Sequence, residues 1–394
     1  IFFRCFFFWR CAEPSGFCLN QTVLLRKAMQ TASADHSTAP VPDDVDVNSM
    51  AYGFAASKAL FCALDIGLFD AISRLGAGAT VTALAQETQV PPTRLMVLIK
   101  SLESLHVLRA VRGPTAKDTT YQNAPSVEQL MVSTARAYYG DYYKYQLDKQ
   151  LYLRMQRVAA VMREGAGATA DYTQWFQDAS EARLYSRAQH NGSKGVGRML
   201  AAHFDVVRAR RVLDVGGGSG PVSAELCARA PHLDCTVLDF PTVVATGEEL
   251  RAELAQTRPD VARRLHFIPG SALDCPWAVP HGRFDVVLMS YLCVSVPFGA
   301  LPALFREAFR VLGPGGQLVL HDFISAGPDA AGGAGTYTAL WTFMHVSVNA
   351  EVQMLYAEDL QAMLEAAGFV GVRRCPGLPA MTSVLVAQRP SAKL

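Results

Sequence analysis

Leu213-Asp214-Val215-Gly216-Gly217-Gly218-Ser219-Gly220 decides the fold. An apolar, strand-like run ends in a cluster of glycines, and Pro221 then opens a helical stretch. Glycine reaches the left-handed conformations of a tight strand-to-helix turn, and its missing Cβ lets a ligand approach the main chain. The plainer reading, an ordinary strand-helix turn, leaves Asp214 and Asp239 unexplained. Asp239 follows some twenty residues on, at the end of the next apolar run, where a carboxylate can accept both hydroxyls of a ribose. A dinucleotide fingerprint needs Gly-x-Gly-x-x-Gly or Ala; here Gly216 and Gly218 are followed by Pro221, which fits it poorly.

Outward from this loop the chain alternates. Strands are expected at Arg211–Val215, Asp234–Leu238, Leu265–Pro269, Phe284–Met289, Gln317–His321, Gly371–Cys375 and Ser383–Gln388. Helices are expected between them at Gly220–Ala230, Val243–Thr257, Pro302–Val311 and Ala357–Ala367. Such alternation predicts an α/β fold, a doubly wound, mostly parallel sheet of Rossmann-like type with helices on both faces. Before it the pattern is different. Met50 to about Ile72 has apolar residues at helical spacing, Thr80 caps a second helix, and Val90-Pro91-Pro92-Thr93 starts a third. Leu105–Val111 and Thr119–Gln122 follow as two short strands, giving a winged-helix pattern. The helix begun at Val90 carries only Arg94 and Lys100 as basic residues, so protein–protein contact is favoured over DNA. Ser133 to about Glu164 reads as one long helical stretch containing the run Tyr138-Tyr139-Gly140-Asp141-Tyr142-Tyr143-Lys144-Tyr145. The expected organisation is a leader and linker over 1–46, a winged-helix-like dimerisation domain over 47–175 and a cofactor-binding domain over 176–394.

The bulk numbers agree with a globular enzyme. The chain has 394 residues, 50% hydrophobic and 18% charged, with a net charge of +1 and no basic block, which argues against nucleic acid. No apolar run outside the leader is long enough to span a membrane. The nine cysteines contain no CxxC pair, so neither a disulfide framework nor a zinc site is expected. The first residues, Ile1-Phe2-Phe3-Arg4-Cys5-Phe6-Phe7-Phe8-Trp9-Arg10, are apolar with arginines and poor in acids. They read either as a leader directing the chain to a mitochondrion or plastid, or as sequence upstream of a start at Met29 in a cytoplasmic protein.

Taken in order, Leu213–Gly220, Val237-Leu238-Asp239-Phe240-Pro241, Gly270-Ser271-Ala272, Leu312-Gly313-Pro314-Gly315-Gly316 and Ala366-Ala367-Gly368-Phe369 resemble the S-adenosylmethionine-dependent O-methyltransferase superfamily. The branch is the plant-type, acetylserotonin-methyltransferase-like one, and the resemblance spans about residues 48 to 390. It implies S-adenosyl-L-methionine as cofactor, a homodimer and a small-molecule substrate. By this resemblance the loop with Gly216, Gly218 and Gly220 cradles the methionine end and Asp239 holds the ribose. Ser271 and Ala272 lie by the adenine, although the family usually has an acid at 271. Asp214 and Ser290 complete the expected cofactor set.

The same resemblance exposes a gap. In these enzymes a histidine removes the substrate's hydroxyl proton and two acids orient it. Counted along this chain, the histidine falls on Val294, the first acid on Asp322 and the second on Met354. A valine cannot move a proton. Either a base has moved, to His321 or His345, or the acceptor carries no proton to remove. A thioether sulfur is such an acceptor, attacking the methyl group directly as positive charge passes from one sulfonium to another. Positioning then supplies the rate, and aromatic faces steady the cation. Tyr142, Gln189, His190, Tyr291, Trp341, His345 and Asn349 are the expected substrate residues, with no general base and no metal. Within the superfamily the pattern resembles the methylthiohydroxybutyrate S-methyltransferases of dimethylsulfoniopropionate synthesis. A homologue that binds the cofactor without transferring methyl, and a winged-helix regulator, stay open as rivals.

Overall fold

The computed structural model describes residues 45–203, 208–325, 333–375 and 382–391. Most of the expected leader lies outside these residues. The chain divides into two compact units, Ile1–Ala51 and Tyr52–Leu394. In the first, helix α1 (Val47–Ala51) is capped by Asp46, whose Oδ1 accepts the N–H groups of Asn48 and Ser49.

The second unit opens with α2 (Gly53–Asp65) and α3 (Leu68–Leu75). The single helix expected to run to Ile72 is broken because Gly67 turns left-handed, with φ of 70°. Thr80 caps α4 (Val81–Thr88) by accepting from the Ala83 N–H at 3.3 Å, and prolines open α5 (Pro92–Ser104). Strands β1 (Leu108–Val111) and β2 (Thr120–Asn123) pair antiparallel as the wing, and α6 (Pro125–Met131) follows. Leu68, Phe69, Leu84, Leu95, Ile99, Leu102 and Tyr121 form its core. Each fully buried side chain of this kind contributes roughly 1.5–3 kcal/mol.

The long helix expected over Ser133–Glu164 is not continuous. Turns carry the chain to Gly140, and Tyr142–Leu151 is then a π-helix, followed by short helices at Tyr152–Met155 and Val158–Glu164. The wider helix places Tyr142, Gln146 and Gln150 together on its buried side. It packs against α7 (Ala179–His203). Periodicity alone does not separate a π-helix from an α-helix, since both recur near every fourth residue.

The sheet and the helices around it include β3 (Arg211–Val215), α8 (Pro221–Arg229), β4 (Asp234–Asp239), α9 (Pro241–Thr257), β5 (Leu265–Pro269) and β6 (Phe284–Ser290). Then come α10 (Leu301–Val311), β7 (Leu312–Asp322), β8 (Ile324–Ser325), α11 (Gly333–His345), β9 (Leu355–Tyr356), α12 (Ala357–Ala366), β10 (Val370–Cys375) and β11 (Ser383–Gln388). The main sheet runs β5-β4-β3-β6-β7-β11-β10. Its first five strands are parallel, and β11 is antiparallel to both neighbours. Alternate residues divide between two cores. Leu213, Val215, Val287, Met289, Leu318 and Leu320 enter one, while Val212, Val286, Leu288 and Val319 enter the other. Burial on both faces is why these strands are continuously apolar. The winding reverses between β3 and β6, so their carboxyl ends diverge and open a crevice.

Candidate active site

That crevice is a cleft bounded by the loop after β3, the ends of β4, β5 and β6, the middle of α7 and the segment around Tyr172. Gly216, Gly218 and Gly220 all have positive φ, between 61° and 78°. The Gly216 N–H donates to the Leu238 carbonyl at 2.8 Å, fastening the loop to β4. Gly217 is needed for a different reason. A Cβ there would lie 2.5 Å from the Asp214 carboxyl carbon.

Two carboxylates define the floor, Asp214 buried and Asp239 half-buried. Asp239 accepts the Gly218 N–H at 2.8 Å and the Phe240 N–H at 2.7 Å. Burial pushes its pKa up to about 6 against the pull of those two donors. Asp214 accepts the Ser223 hydroxyl at 2.7 Å through Oδ2, while its Oδ1 has no partner. Burial pushes it to about 7, the Ser223 bond opposes the rise, and the nearby Asp239 charge adds to it. Both carboxyls line the cleft, as do Ser271, Ala272 and Ser290; Gly220 sits just outside and caps α8.

Of the expected substrate residues, Gln189, Tyr291 and Asn349 line the cleft. The Asn349 side-chain nitrogen is buried without a partner. Tyr291 sits left-handed at φ 59°, its N–H donating to the His321 carbonyl at 2.8 Å. Holding a non-glycine residue there costs about 1–2 kcal/mol. Trp341 and His345 form a second layer: their rings stack 3.6 Å apart, and Phe323 stacks on Trp341 at 3.9 Å. Tyr142 packs against Tyr139 and Tyr143 and does not line the cleft. His190 faces a separate cavity beside Arg187 and Lys194, its Nδ1 3.0 Å from the Ser219 hydroxyl. Tyr172, Phe176 and Tyr185 line the cleft without having been singled out, since no spacing motif marks them.

The structure also places the vacant base position. Val294 is 1% exposed and packs in the core. Asp322 accepts the Val294 N–H at 3.3 Å and the Phe323 N–H at 2.8 Å, so it fastens this loop. The proposed substitutes are both sealed in. His321 contacts the Ser290 hydroxyl at 2.9 Å and the Thr382 hydroxyl at 3.0 Å, and burial pushes its pKa down to about 3. His345 is pushed down to about 3 for the same reason. Among the described residues, the ionisable groups lining the cleft are Asp171, Asp214, Asp239, Tyr172, Tyr185 and Tyr291; no His, Lys or Arg lines it. Burial raises all three phenols, so they keep their protons at neutral pH.

Residues 172–373, just over half of the chain, match the family described as Methyltransferase domain. The chain belongs to this methyltransferase family. Residues 48–133 match the O-methyltransferase dimerisation domain. The methyltransferase is 28% identical to acetylserotonin O-methyltransferase of Rattus norvegicus over 342 residues, covering 84% of this chain and 74% of the relative. It is 24% identical to demethylspheroidene O-methyltransferase of Rhodobacter capsulatus, covering 86% and 80%. The crystal structure of human N-acetylserotonin methyltransferase in complex with S-adenosylmethionine superposes with a TM-score of 0.73 at 20% identity, covering 89% of this chain and 100% of that one. The methyltransferase uses S-adenosylmethionine. Its residues fit that group: the unpaired Oδ1 of Asp214 suits an ammonium or hydroxyl donor, and the glycine loop leaves room for close approach.

Proposed function

We propose that this S-adenosylmethionine-dependent methyltransferase acts at the sulfur of a small thioether hydroxy acid of the 4-methylthio-2-hydroxybutyrate type, giving a dimethylsulfonium product. The observation that carries the reading is the make-up of the cleft. Its ionisable side chains are carboxyls and protonated phenols, while every candidate imidazole lies outside it. An alcohol or phenol acceptor has to lose a proton, and this cleft offers no histidine to take it. A thioether has no such proton. The bound cofactor supplies an electrophilic methyl group on a cationic sulfur. The chain's own part is to hold, align and desolvate.

Asp239 and Asp214 would hold the cofactor's hydroxyl and ammonium groups, and Gln189 and Asn349 would donate to the acceptor's carboxylate or hydroxyl. Tyr291, Tyr172, Tyr185 and Phe176 would surround the sulfur, each ring contributing roughly 0.5–2 kcal/mol to a cation it faces. Residues 47–175 would serve as the dimerisation part and 176–394 as the catalytic part, in a homodimer acting on a small molecule.

An oxygen acceptor is the second reading, favoured by the named activities of the relatives. A panel with methyl-labelled S-adenosylmethionine decides between them, comparing 4-methylthio-2-hydroxybutyrate with catechols and hydroxyindoles. Labelled sulfonium product, with a rate that does not rise through a base pKa, is expected. Transfer to phenols and none to the thioether would overturn the proposal.

A further inference from the structure

The two phenols that sequence motifs did not mark carry more than packing. The Tyr172 hydroxyl lies 3.1 Å from His345 Nε2 and 3.3 Å from the Tyr185 hydroxyl. The other imidazole nitrogen, Nδ1, lies 3.3 Å from the Trp341 carbonyl oxygen. A carbonyl can only accept, so Nδ1 carries the hydrogen of the neutral ring and Nε2 is left as an acceptor. Tyr172 must then donate to Nε2. Having spent its one hydrogen there, Tyr172 can only accept from Tyr185. Direction is thereby fixed along the whole row: Tyr185 to Tyr172 to His345 to the Trp341 carbonyl. Burial keeps the imidazole neutral, and its stacking on Trp341 fixes the ring plane.

We propose that His345 is a positioning residue that takes the Tyr172 hydroxyl hydrogen and so makes Tyr172 take that of Tyr185, leaving both oxygens to meet a sulfonium only as acceptors. The inference rests on the site reading above and adds how a cationic sulfur is told from a neutral one. Tyr172 and Tyr185 both line the cleft, and the full charges beside them there are carboxylates. Oxygen lone pairs facing a cation attract it, whereas a hydroxyl hydrogen turned inward would repel it. A neutral thioether gains little from either arrangement.

The test uses the full-length chain and two ligands that differ by one methyl group and one positive charge. Affinities for S-adenosylmethionine and S-adenosylhomocysteine are measured by calorimetry for the wild type, Tyr172→Phe, His345→Phe and His345→Gln. Tyr172→Phe and His345→Phe should each weaken the sulfonium ligand about 3- to 10-fold relative to the neutral one, the scale of one hydrogen bond. His345→Gln should recover most of that ratio, because its amide oxygen can accept from Tyr172. Equal weakening of both ligands, an unchanged ratio, or a glutamine no better than phenylalanine would overturn the proposal. If His345→Phe does not fold, Tyr172→Phe decides it alone. An altered ratio in a protein that fails to methylate the thioether would remove only the acceptor assignment.

Discussion

Replacing Asp239 by alanine tests the cofactor site where its geometry is tightest. The carboxylate is half-buried at the carboxyl end of β4 and holds two main-chain donors, Gly218 N–H at 2.8 Å and Phe240 N–H at 2.7 Å. Its removal acts twice. A charged hydrogen bond to the cofactor's ribose is worth roughly 1.5–3 kcal/mol, which weakens S-adenosylmethionine about 10- to 150-fold. The two stranded N–H groups cost the loop a further penalty of about 1–3 kcal/mol each where water cannot reach them. Calorimetric titration should therefore show the loss in affinity, and denaturant unfolding of the free protein a loss in stability. Asp239→Asn separates the two, since its amide oxygen keeps one main-chain bond while the negative charge is gone. It should recover part of the stability and little of the affinity. A cofactor affinity unchanged in both variants would refute the placement of the ribose at β4.

Further outcomes follow from the buried charges and the packed loop. Asp322, pushed up to about 7 by burial, holds a proton in the folded chain that the unfolded chain releases near 4. Its contribution therefore falls as pH rises from about 4 to about 7, by up to roughly 1.4 kcal/mol per unit. The histidines pushed down to about 3 work in the opposite sense up to about 6.5, so the informative quantity is wild type minus Asp322→Asn across this window. Urea unfolding at several pH values should show that difference shrinking upward; a difference that grows would contradict the assignment. Gly217→Ala places a Cβ 2.5 Å from the Asp214 carboxyl carbon and should cost about 1–3 kcal/mol of stability together with cofactor affinity. Normal thermal unfolding and binding would show that the loop has slack. Val294→His should lower thermal stability by a similar amount and confer no phenol methylation, because the slot is closed. Labelled transfer to a catechol by that variant would show the reverse.

The parts of the fold that sequence patterning made legible are those where one physical cause dominates. Both-face burial made β3, β6 and β7 read as apolar runs, and left-handed turns demanded the glycines at 216, 218 and 220. The wing was legible through Thr80, the prolines before α5 and two short alternating strands. The π-helix at Tyr142–Leu151 was not, because helical spacing carries no record of which carbonyl each N–H finds. In the site, Asp239, Gln189 and Asn349 were found where chain order brings them to the cleft. Tyr172 and Tyr185 were missed because their role depends on a tertiary contact with His345, far along the chain. Trp341 and His345 come close to the cleft but stand one layer behind it.

The last strand has its own consequence for how the protein is made. Ser383–Gln388 pairs with β7 on one side and β10 on the other, so it is slotted between two strands synthesised before it. Until those residues leave the ribosome, the outer edge of β7 has no permanent neighbour and β10 has nothing to pair with. Completion of the sheet thus waits for this strand, and removing it would leave a gap inside the sheet instead of trimming its rim.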